Sequence, residues 1–364
     1  MQTSDDELIK KFEPRRIILP LIIAIAVAVV IIYSGFDAEA YRRIELTSSV
    51  VFWIIIAVIM MVIRDLAYMY RLRVLTDDVI SWRRSFVVIM LWEFASAISP
   101  GIVGGAAFAF FLINNEKVKM GKSVAVVLTT SFLDELFFVL MAPLIFFVVG
   151  KHLLFDTLGG DSAIVTYEKG FYYGFWVGYG IICAYIVVVS YAIFVNPRAV
   201  KYVMVKVATL PLIRKFRQAA AETGDDLIIA SKELRKQNFS YWFKSFMATV
   251  FSWTARYMVV NCLIMAFITL SLADNFMVYA RQLVMWILLL VSPTPGGAGI
   301  AEVVFPQFLK EFIPIGLAAP LGVMWRLISW YPYLIIGALL LPRWLRKYLA
   351  QKKESSKIRA EKEG

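Results

Sequence analysis

The chain has 364 residues, of which 60% are hydrophobic and 18% are charged, and its formal net charge is +11. Soluble globular chains average about 45–50% apolar residues, so this composition, with a mean hydropathy of +0.71, excludes an ordinary soluble or disordered chain and argues against a nucleic-acid-binding protein. Two cysteines in apolar runs and a single histidine give no sign of a disulfide framework or a histidine metal cluster, so we expect a membrane protein without metal or cofactor.

Long apolar runs define the predicted spans, because about 17–25 apolar residues cross a hydrocarbon layer of about 30 Å. In chain order, six spanning helices are predicted at residues 17–34, 46–63, 123–149, 171–195, 243–270 and 315–341. Two further runs, 85–113 and 276–313, are interrupted near the middle by proline and glycine, which break helices. We interpret these as re-entrant broken-helix hairpins, with ordinary spans kinked by proline as the alternative. The predicted fold class is an all-α polytopic membrane protein.

Lysine and arginine in the loops set the predicted orientation. With both termini cytoplasmic and two re-entrant hairpins, 30 basic residues lie inside and five outside. Full spans at the two broken runs would instead turn Lys117, Lys119 and Lys122 outward. The distribution predicts a multi-pass protein of the cell inner (plasma) membrane.

Two polar segments complete the predicted organisation. Residues 196–242 alternate basic and apolar residues, which is typical of amphipathic helices on an anionic cytoplasmic leaflet, although a simple positive-inside loop has the same charge. Residues 343–364 are predicted to form a solvated, frayed, basic cytoplasmic tail. Residues 1–342 then form a single transmembrane domain.

The two broken runs resemble each other in sequence. The first reads SPGIVGGA at residues 99–106 and the second reads SPTPGGAG at 292–299. In the predicted topology they enter from opposite sides, and the helices that follow run in opposite directions, as in inverted-repeat transporters whose broken helices meet at the substrate site. Gly105 precedes Asp134 by 29 residues, and Gly297 precedes Arg326 by the same number. The candidate tip residues are Ser99, Gly104, Gly105, Ser292, Pro293, Pro295, Gly296 and Gly297.

Ionisable residues within apolar runs are functional candidates, because each costs at least about 2.5–3.5 kcal/mol at the centre of a membrane helix. Seven occur here: Glu93, Asp134, Glu135, Arg256, Arg281, Glu302 and Arg326. Arg256 and Arg326 are predicted to hold an anionic headgroup, since a guanidinium matches phosphate geometry. Glu93, Asp134 and Glu302 are predicted to bind protons or a cationic headgroup. The alternative is that these acids and arginines form only internal salt bridges.

The sequence SPTPGGAGIAE at 292–302, followed by RLISW at 326–330, is similar to the late signature of the lysylphosphatidylglycerol synthase transmembrane (flippase-like) family. The earlier SPGIVGG at 99–105, with GKS at 121–123, resembles that family's first conserved block. The likeness covers roughly residues 15–342 and implies lipid translocation between leaflets. The synthase proteins also carry a soluble aminoacyl-transferase domain, which this sequence lacks, so we expect a stand-alone member that does not make the aminoacyl lipid.

The leading hypothesis is translocation of an anionic phospholipid or a polyprenyl-phosphate-type lipid across the bacterial inner membrane. The proposed binding groups are the hairpin tips together with Glu93, Asp134, Arg256, Glu302 and Arg326. The expected partners are membrane lipids with anionic headgroups and not nucleic acid. No catalytic constellation occurs, so we expect no enzymatic activity. The alternatives are a secondary transporter of a small soluble solute and a non-transporting accessory membrane protein.

Overall fold

The computed structural model describes residues 47–98, 102–155, 162–210, 214, 217–290, 300–314 and 317–363, without the side chains of 102–104, 162–169, 290, 300–303, 319 and 350–363. The helices, in chain order, are α1 Ser48–Leu75, α2 Trp82–Ile98, α3 Ile102–Asn115, α4 Met120–Val149, α5 Lys151–Phe155, α6 Ser162–Ser190, α7 Pro197–Val207, α8 Arg217–Leu234, α9 Phe239–Met265, α10 Leu272–Leu290, α11 Ile300–Leu309, α12 Ala318–Ser329 and α13 Tyr331–Glu363. A π-helical turn, Tyr191–Val195, follows α6.

Helix is the regular secondary structure throughout these described ranges, which contain no strand. Four stretches are long and apolar enough to cross a membrane: Ser48–Leu75, Met120–Val149, Gly170–Val195 and Pro320–Leu349. The chain is therefore an all-helical, multi-pass membrane protein, as its composition predicts. The predicted first span, 17–34, lies outside the described residues.

The helix at the predicted second span, 46–63, is longer than the apolar run. Helix α1 begins at Ser48, where the N-cap side chain of Thr47 accepts a hydrogen bond from the backbone N–H of Val50, and it continues to Leu75. Arg64 and Arg71, assigned to a cytoplasmic loop from hydropathy, are instead buried in this helix. They are tolerated there because they lie on its inward face, while apolar side chains such as Ile55, Val62 and Leu66 are exposed on the helix surface.

Each of the two broken runs forms a pair of helices that pack against each other. Helix α2 packs on α3, and α10 packs on α11. The interruptions themselves, at residues 99–101 and 291–299, lie outside the described residues. At Gly105 in α3 a Cβ would overlap the side chain of Ser96 in α2, so the close approach of these two helices requires glycine.

The C-terminal apolar run, predicted as a single span over 315–341, overlaps the candidate span Pro320–Leu349, but its helix is interrupted. It is divided at Trp330, which lies between α12 and α13 and whose N–H bonds back to the carbonyl of Arg326. Pro332 stands at the second position of α13, where a missing N–H is tolerated. The segment predicted to be a frayed tail instead continues α13 as helix to Glu363.

The basic segment predicted to be amphipathic forms helices α7 and α8. Asn196 caps α7 by accepting from the N–H of Ala199, and Pro197 follows as its first residue. Helix α8 packs against α4 and against the π-helical turn, where its Ser231 donates a hydrogen bond to the carbonyl of Ile193 at 2.6 Å. This basic segment therefore packs against the rest of the helix bundle.

Helices α1 and α9 form the most extensive contact in the bundle. Helix α9 also packs on α4, α10 and α12, while α2 packs on α1, α3 and α13. Helix α9 is capped by Asn238, whose side chain accepts from the N–H of Tyr241. Polar residues of α9, among them Ser245, Thr249 and Ser252, are buried on its inward side. This arrangement leaves a cavity between the helices.

We predict that Gly337→Ala destabilises the bundle. A Cβ at Gly337 of α13 would overlap the fully buried side chain of Phe94 in α2, and such overpacking costs about 1–3 kcal/mol. The thermal unfolding midpoint of the detergent-solubilised protein should fall. Gly180→Ala is the matched control, because a Cβ at that exposed glycine of α6 meets nothing within 4 Å, so equal midpoints for the two variants would contradict the packing argument.

Candidate functional site

A cavity of about 310 Å³ lies at the centre of the bundle. Its wall is formed by α1, α2, α4, α9, α10, α12 and the start of α13, with one residue from α3. Four arginines, three carboxyl groups and five tryptophans line it: Arg64, Arg71, Arg256, Arg326, Glu93, Asp134, Glu135, Trp92, Trp253, Trp286, Trp325 and Trp330. A charged, aromatic wall of this kind inside a membrane protein marks a functional site by default.

The strongest polar contact in the wall joins α1 to α4. Arg71 holds Asp134 with both terminal nitrogens, Nη1 to Oδ1 at 2.6 Å and Nη2 to Oδ2 at 3.2 Å. Nη1 also donates to Oγ1 of Thr249, and the indole N–H of Trp253 donates to Oδ1 of Asp134 at 3.0 Å. Fork-shaped pairing of this kind is both strong and geometrically specific. Three helices, α1, α4 and α9, are therefore fastened at one point.

A second ion-pair cluster joins α1 to α2 and α13. Arg64 donates from Nη2 to Oε1 of Glu93 at 2.6 Å and from Nη1 to Oδ1 of Asp65 at 2.8 Å. Nη1 also donates to the hydroxyl oxygen of Tyr333, and that hydroxyl donates in turn to Oδ1 of Asp65. Arg64 is only 1% exposed. Its charge is thus compensated by two carboxylates at the edge of the cavity.

The ring of Tyr68 connects the two clusters. The guanidinium carbon of Arg64 lies 4.2 Å from its centroid, and that of Arg71 lies 4.3 Å away. Cation–π contacts of about 0.5–2 kcal/mol are typical of such geometry. Arg64, Tyr68 and Arg71 follow each other at helical spacings of four and three, so a single face of α1 carries both clusters.

Arg256 is held differently from the two paired arginines. Its guanidinium carbon lies over the rings of Trp253, at 5.6 Å, and Trp286, at 5.1 Å. Within the described part of the chain it forms no salt bridge. It is therefore a cation at the cavity wall that has aromatic faces beside it and no described carboxylate within salt-bridge distance. Arg326, the other arginine predicted to bind a headgroup, lies over Trp325 and Trp330.

Glu135 contrasts with the other carboxyl groups of the cavity. Its Oε2 atom is buried and has no hydrogen-bond partner among the described residues. Its chain neighbour Asp134, by contrast, accepts from Arg71 and Trp253. Leaving a buried polar oxygen without a partner costs free energy, so this carboxyl is not explained by the packing of the bundle.

Arg281 plays a structural role outside the cavity. It is 1% exposed and donates to the carbonyls of Leu153 at 2.9 Å and Phe308 at 2.9 Å, and to Oε2 of Glu311 at 2.9 Å. These carbonyls lie near the C-terminal ends of the short helices α5 and α11, whose last carbonyl groups have no partner within the helix. The arginine therefore joins α10 to both short helices.

The structure brings five of the seven predicted ionisable residues to one cavity: Glu93, Asp134, Glu135, Arg256 and Arg326. Gly104 and Gly105 lie in the first turn of α3. Glu302 belongs to α11, but its side chain lies outside the described residues, as do the tip residues Ser99, Ser292, Pro293, Pro295, Gly296 and Gly297. The partner of Asp134 is Arg71; the equal spacing of Asp134 and Arg326 from the two glycine motifs leaves their contact open.

Sequence reasoning missed Arg64, Tyr68 and Arg71 as part of the site. The charges of Arg64 and Arg71 end the apolar run, so the sequence alone places all three residues in a loop. The available signal was their helical spacing in register with the buried residues Ala57 and Met61. No three of the histidine, cysteine, aspartate and glutamate residues in the described ranges group closely enough to hold a metal ion.

The fold and the cavity define a polytopic helical membrane protein with a compact, arginine-rich interior site. The family described as the lysylphosphatidylglycerol synthase TM region matches residues 17–337. The chain belongs to that family, as its proline- and glycine-rich motifs predict.

A relative in Archaeoglobus fulgidus is described as a UPF0104 membrane protein. It is 26% identical to this chain over 320 residues, which cover 82% of this chain and 90% of the relative. No solved structure matches the chain. The similarity therefore extends over most of both proteins. The description of the relative names a membrane protein and no substrate.

We predict that breaking the Arg71–Asp134 pair on one side is strongly destabilising. Removing one partner of a buried pair costs about 3–5 kcal/mol, because the other charge is left uncompensated. Arg71→Gln and Asp134→Asn should each lower the thermal unfolding midpoint in detergent, and the double variant should lower it by less than the sum of the two shifts. Arg83→Gln, at an exposed arginine of α2, is the control, and full additivity would contradict the pairing.

Proposed function

We propose that this protein moves an anionic phospholipid, or a lipid of the polyprenyl-phosphate type, between the leaflets of the bacterial inner membrane. The lipid is moved without chemical change, so the proposal includes no enzymatic activity. Family membership supports a membrane function of this general class. The headgroup class is argued from the charges of the cavity.

The observation that carries the proposal is Arg256 at the cavity wall. The Arg64 and Arg71 charges are compensated by carboxylates within the bundle, whereas Arg256 contacts only tryptophan faces among the described residues. A guanidinium in this position offers several N–H donors in a planar fork, which suits the oxygens of a phosphate. An anionic headgroup would therefore supply the negative charge that this part of the wall lacks.

The size of the cavity supports binding of a headgroup and not of a whole lipid. A volume of about 310 Å³ is at the lower end of the range for small-molecule pockets, about 300–1,000 Å³. Acyl or prenyl chains are far larger and are expected to remain in the bilayer. We propose that the headgroup crosses through the cavity while its tail remains in the hydrocarbon layer.

The proposed topology has six spanning helices, two re-entrant hairpins in an inverted repeat, and cytoplasmic termini. The paired helices α2–α3 and α10–α11 flank the two interruptions, and residues of α2, α3 and α10 line the cavity. In inverted-repeat transporters one repeat rocks against the other around a central site. Such rocking would open the headgroup site to each leaflet in turn.

We predict that Arg256→Ala slows movement of an anionic lipid in proteoliposomes. A hydrogen bond to a charged group contributes about 1.5–3 kcal/mol, so the rate should fall at least about tenfold. The assay follows fluorescently labelled phosphatidylglycerol, with labelled phosphatidylcholine in parallel, by dithionite quenching of the outer leaflet. Arg326→Ala tests the second predicted headgroup arginine, and Arg83→Ala is the control outside the cavity.

Three results would distinguish the candidate functions. Faster exposure of phosphatidylglycerol by the wild type than by empty vesicles, lost in Arg256→Ala, supports lipid translocation. Uptake of a small soluble anion without lipid movement would overturn the proposal in favour of a solute transporter. Movement of neither substrate by well-folded protein would leave an accessory role, in which the charges of the cavity only hold the helices together.

We predict that a cysteine at Lys119, between α3 and α4, reacts with a membrane-impermeant maleimide only from the cytoplasmic side. A cysteine at Lys151, after α4, should react only from the opposite side. Both positions are exposed, and the native Cys183 and Cys262 are replaced by alanine in the background. Reaction of both positions from one side would exclude a spanning α4, and outward labelling at Lys119 would contradict the re-entrant first hairpin.

A further inference from the structure

We propose that Glu135 is the proton-binding group of the cavity, so that each anionic headgroup crosses together with one proton. The inference rests on the proposed lipid translocation and adds its energy source. It assigns a role to a carboxyl group that the bundle leaves unsatisfied. The argument begins with the carboxylates that are satisfied.

Glu93 and Asp134 are committed to arginines. Glu93 lies 2.6 Å from Arg64, and Asp134 is gripped by both terminal nitrogens of Arg71. Loss of either negative charge would break an ion pair inside the bundle, which is unfavourable. Arg71 would keep no other carboxylate partner among the described residues, whereas Arg64 would keep Asp65. These two acids therefore hold α1 in place through their ion pairs. The sequence analysis predicts that Glu93 and Asp134 bind protons or a cationic headgroup, whereas their contacts favour a role in ion pairing.

Glu135 has neither an ion-pair partner nor a hydrogen-bond donor at Oε2 among the described residues, although that atom is buried. Its chain neighbour Asp134 carries a negative charge. The titratable and charged groups that surround Glu135 among the described residues come from seven helices. They are Asp134 on α4, Tyr185 on α6, Arg64, Tyr68 and Arg71 on α1, Glu93 on α2, Arg256 and Tyr257 on α9, Arg326 on α12 and Tyr333 on α13.

No described residue forms a salt bridge with the Glu135 carboxyl or a hydrogen bond to its Oε2 atom, although Arg256 and Arg326 line the same cavity. Arg64 and Arg71 are bound to other carboxylates, and the hydroxyl of Tyr185 is hydrogen-bonded to Oγ of Ser131 at 2.9 Å. The lining residues of α3 and α10 are Ala106, Trp286 and Leu289, which carry no charge. A proton on Oε2 is therefore the direct means of neutralising this carboxyl.

Proton binding and headgroup binding then favour each other. An anionic headgroup at Arg256 shares the cavity with Glu135, and two negative charges in a weakly screened space repel each other. A proton taken from water forms the O–H bond of Glu135, removes this repulsion and admits the headgroup. Because such coupling is reciprocal, departure of the headgroup on the other side favours release of the proton to water there. The net movement is one anion with one proton.

The test uses the full-length protein in liposomes that carry a pH difference of one unit and labelled phosphatidylglycerol. With electroneutral coupling, the lipid should accumulate in the leaflet facing the alkaline side, by up to about tenfold per pH unit. Glu135→Gln should abolish this accumulation. Glu222→Gln, at an exposed carboxyl of α8 outside the cavity, should leave it unchanged. Protein-free vesicles measure the passive response of the lipid.

Each outcome bears on a different claim. Equilibration of the lipid by wild type without pH-driven accumulation overturns the proton inference and leaves lipid translocation intact. Accumulation that persists in Glu135→Gln also overturns it. A wild type that moves no lipid overturns translocation itself, and the inference with it. If Glu135→Gln does not fold, wild-type vesicles loaded with pyranine decide the question, because inward movement of the lipid must acidify the lumen and an unchanged lumenal pH excludes coupling.

Discussion

The fork between Arg71 and Asp134 is the contact on which the rest of the site depends. It fastens α1 to α4, and through Thr249 and Trp253 it includes α9. A charged arginine at this depth is tolerable only because the pair is complete. Once α1 is fixed in this way, Arg64 is carried on the same face to Glu93, and Tyr68 is held between the two guanidinium groups. The shape of the cavity follows from that placement.

The charged groups of the described cavity wall divide into two kinds. Arg64, Arg71, Glu93 and Asp134 neutralise one another, so they define structure. Arg256 and Glu135 lack such partners, and their requirements are opposite: one favours an incoming anion and the other a proton. A substrate cycle that delivers both together would add no net charge to the interior of the bundle.

The class of protein, its family and most of its helices could be predicted from composition, apolar runs and the proline–glycine motifs. The assignment of Arg64 and Arg71 to a loop failed because a hydropathy boundary treats every arginine as a loop residue, although both lie on one buried face of α1. Membership of Glu93, Asp134, Arg256 and Arg326 in one cavity could be anticipated from their position in apolar runs. The partner of Asp134 could not be predicted from the sequence, because equal spacing in a repeat identifies equivalent positions and does not show which side chains are in contact.

The order of residues along α1 has a consequence for biogenesis. Arg71 is synthesised 63 residues before Asp134, and Arg64 precedes its partner Tyr333 by 269 residues. When α1 first reaches the bilayer, its arginines have no ion-pair partner from these later helices, and long basic side chains in that position extend towards the nearest aqueous surface. Only the later helices α4, α9 and α13 supply the Asp134, Thr249 and Tyr333 partners that these arginines have in the folded bundle.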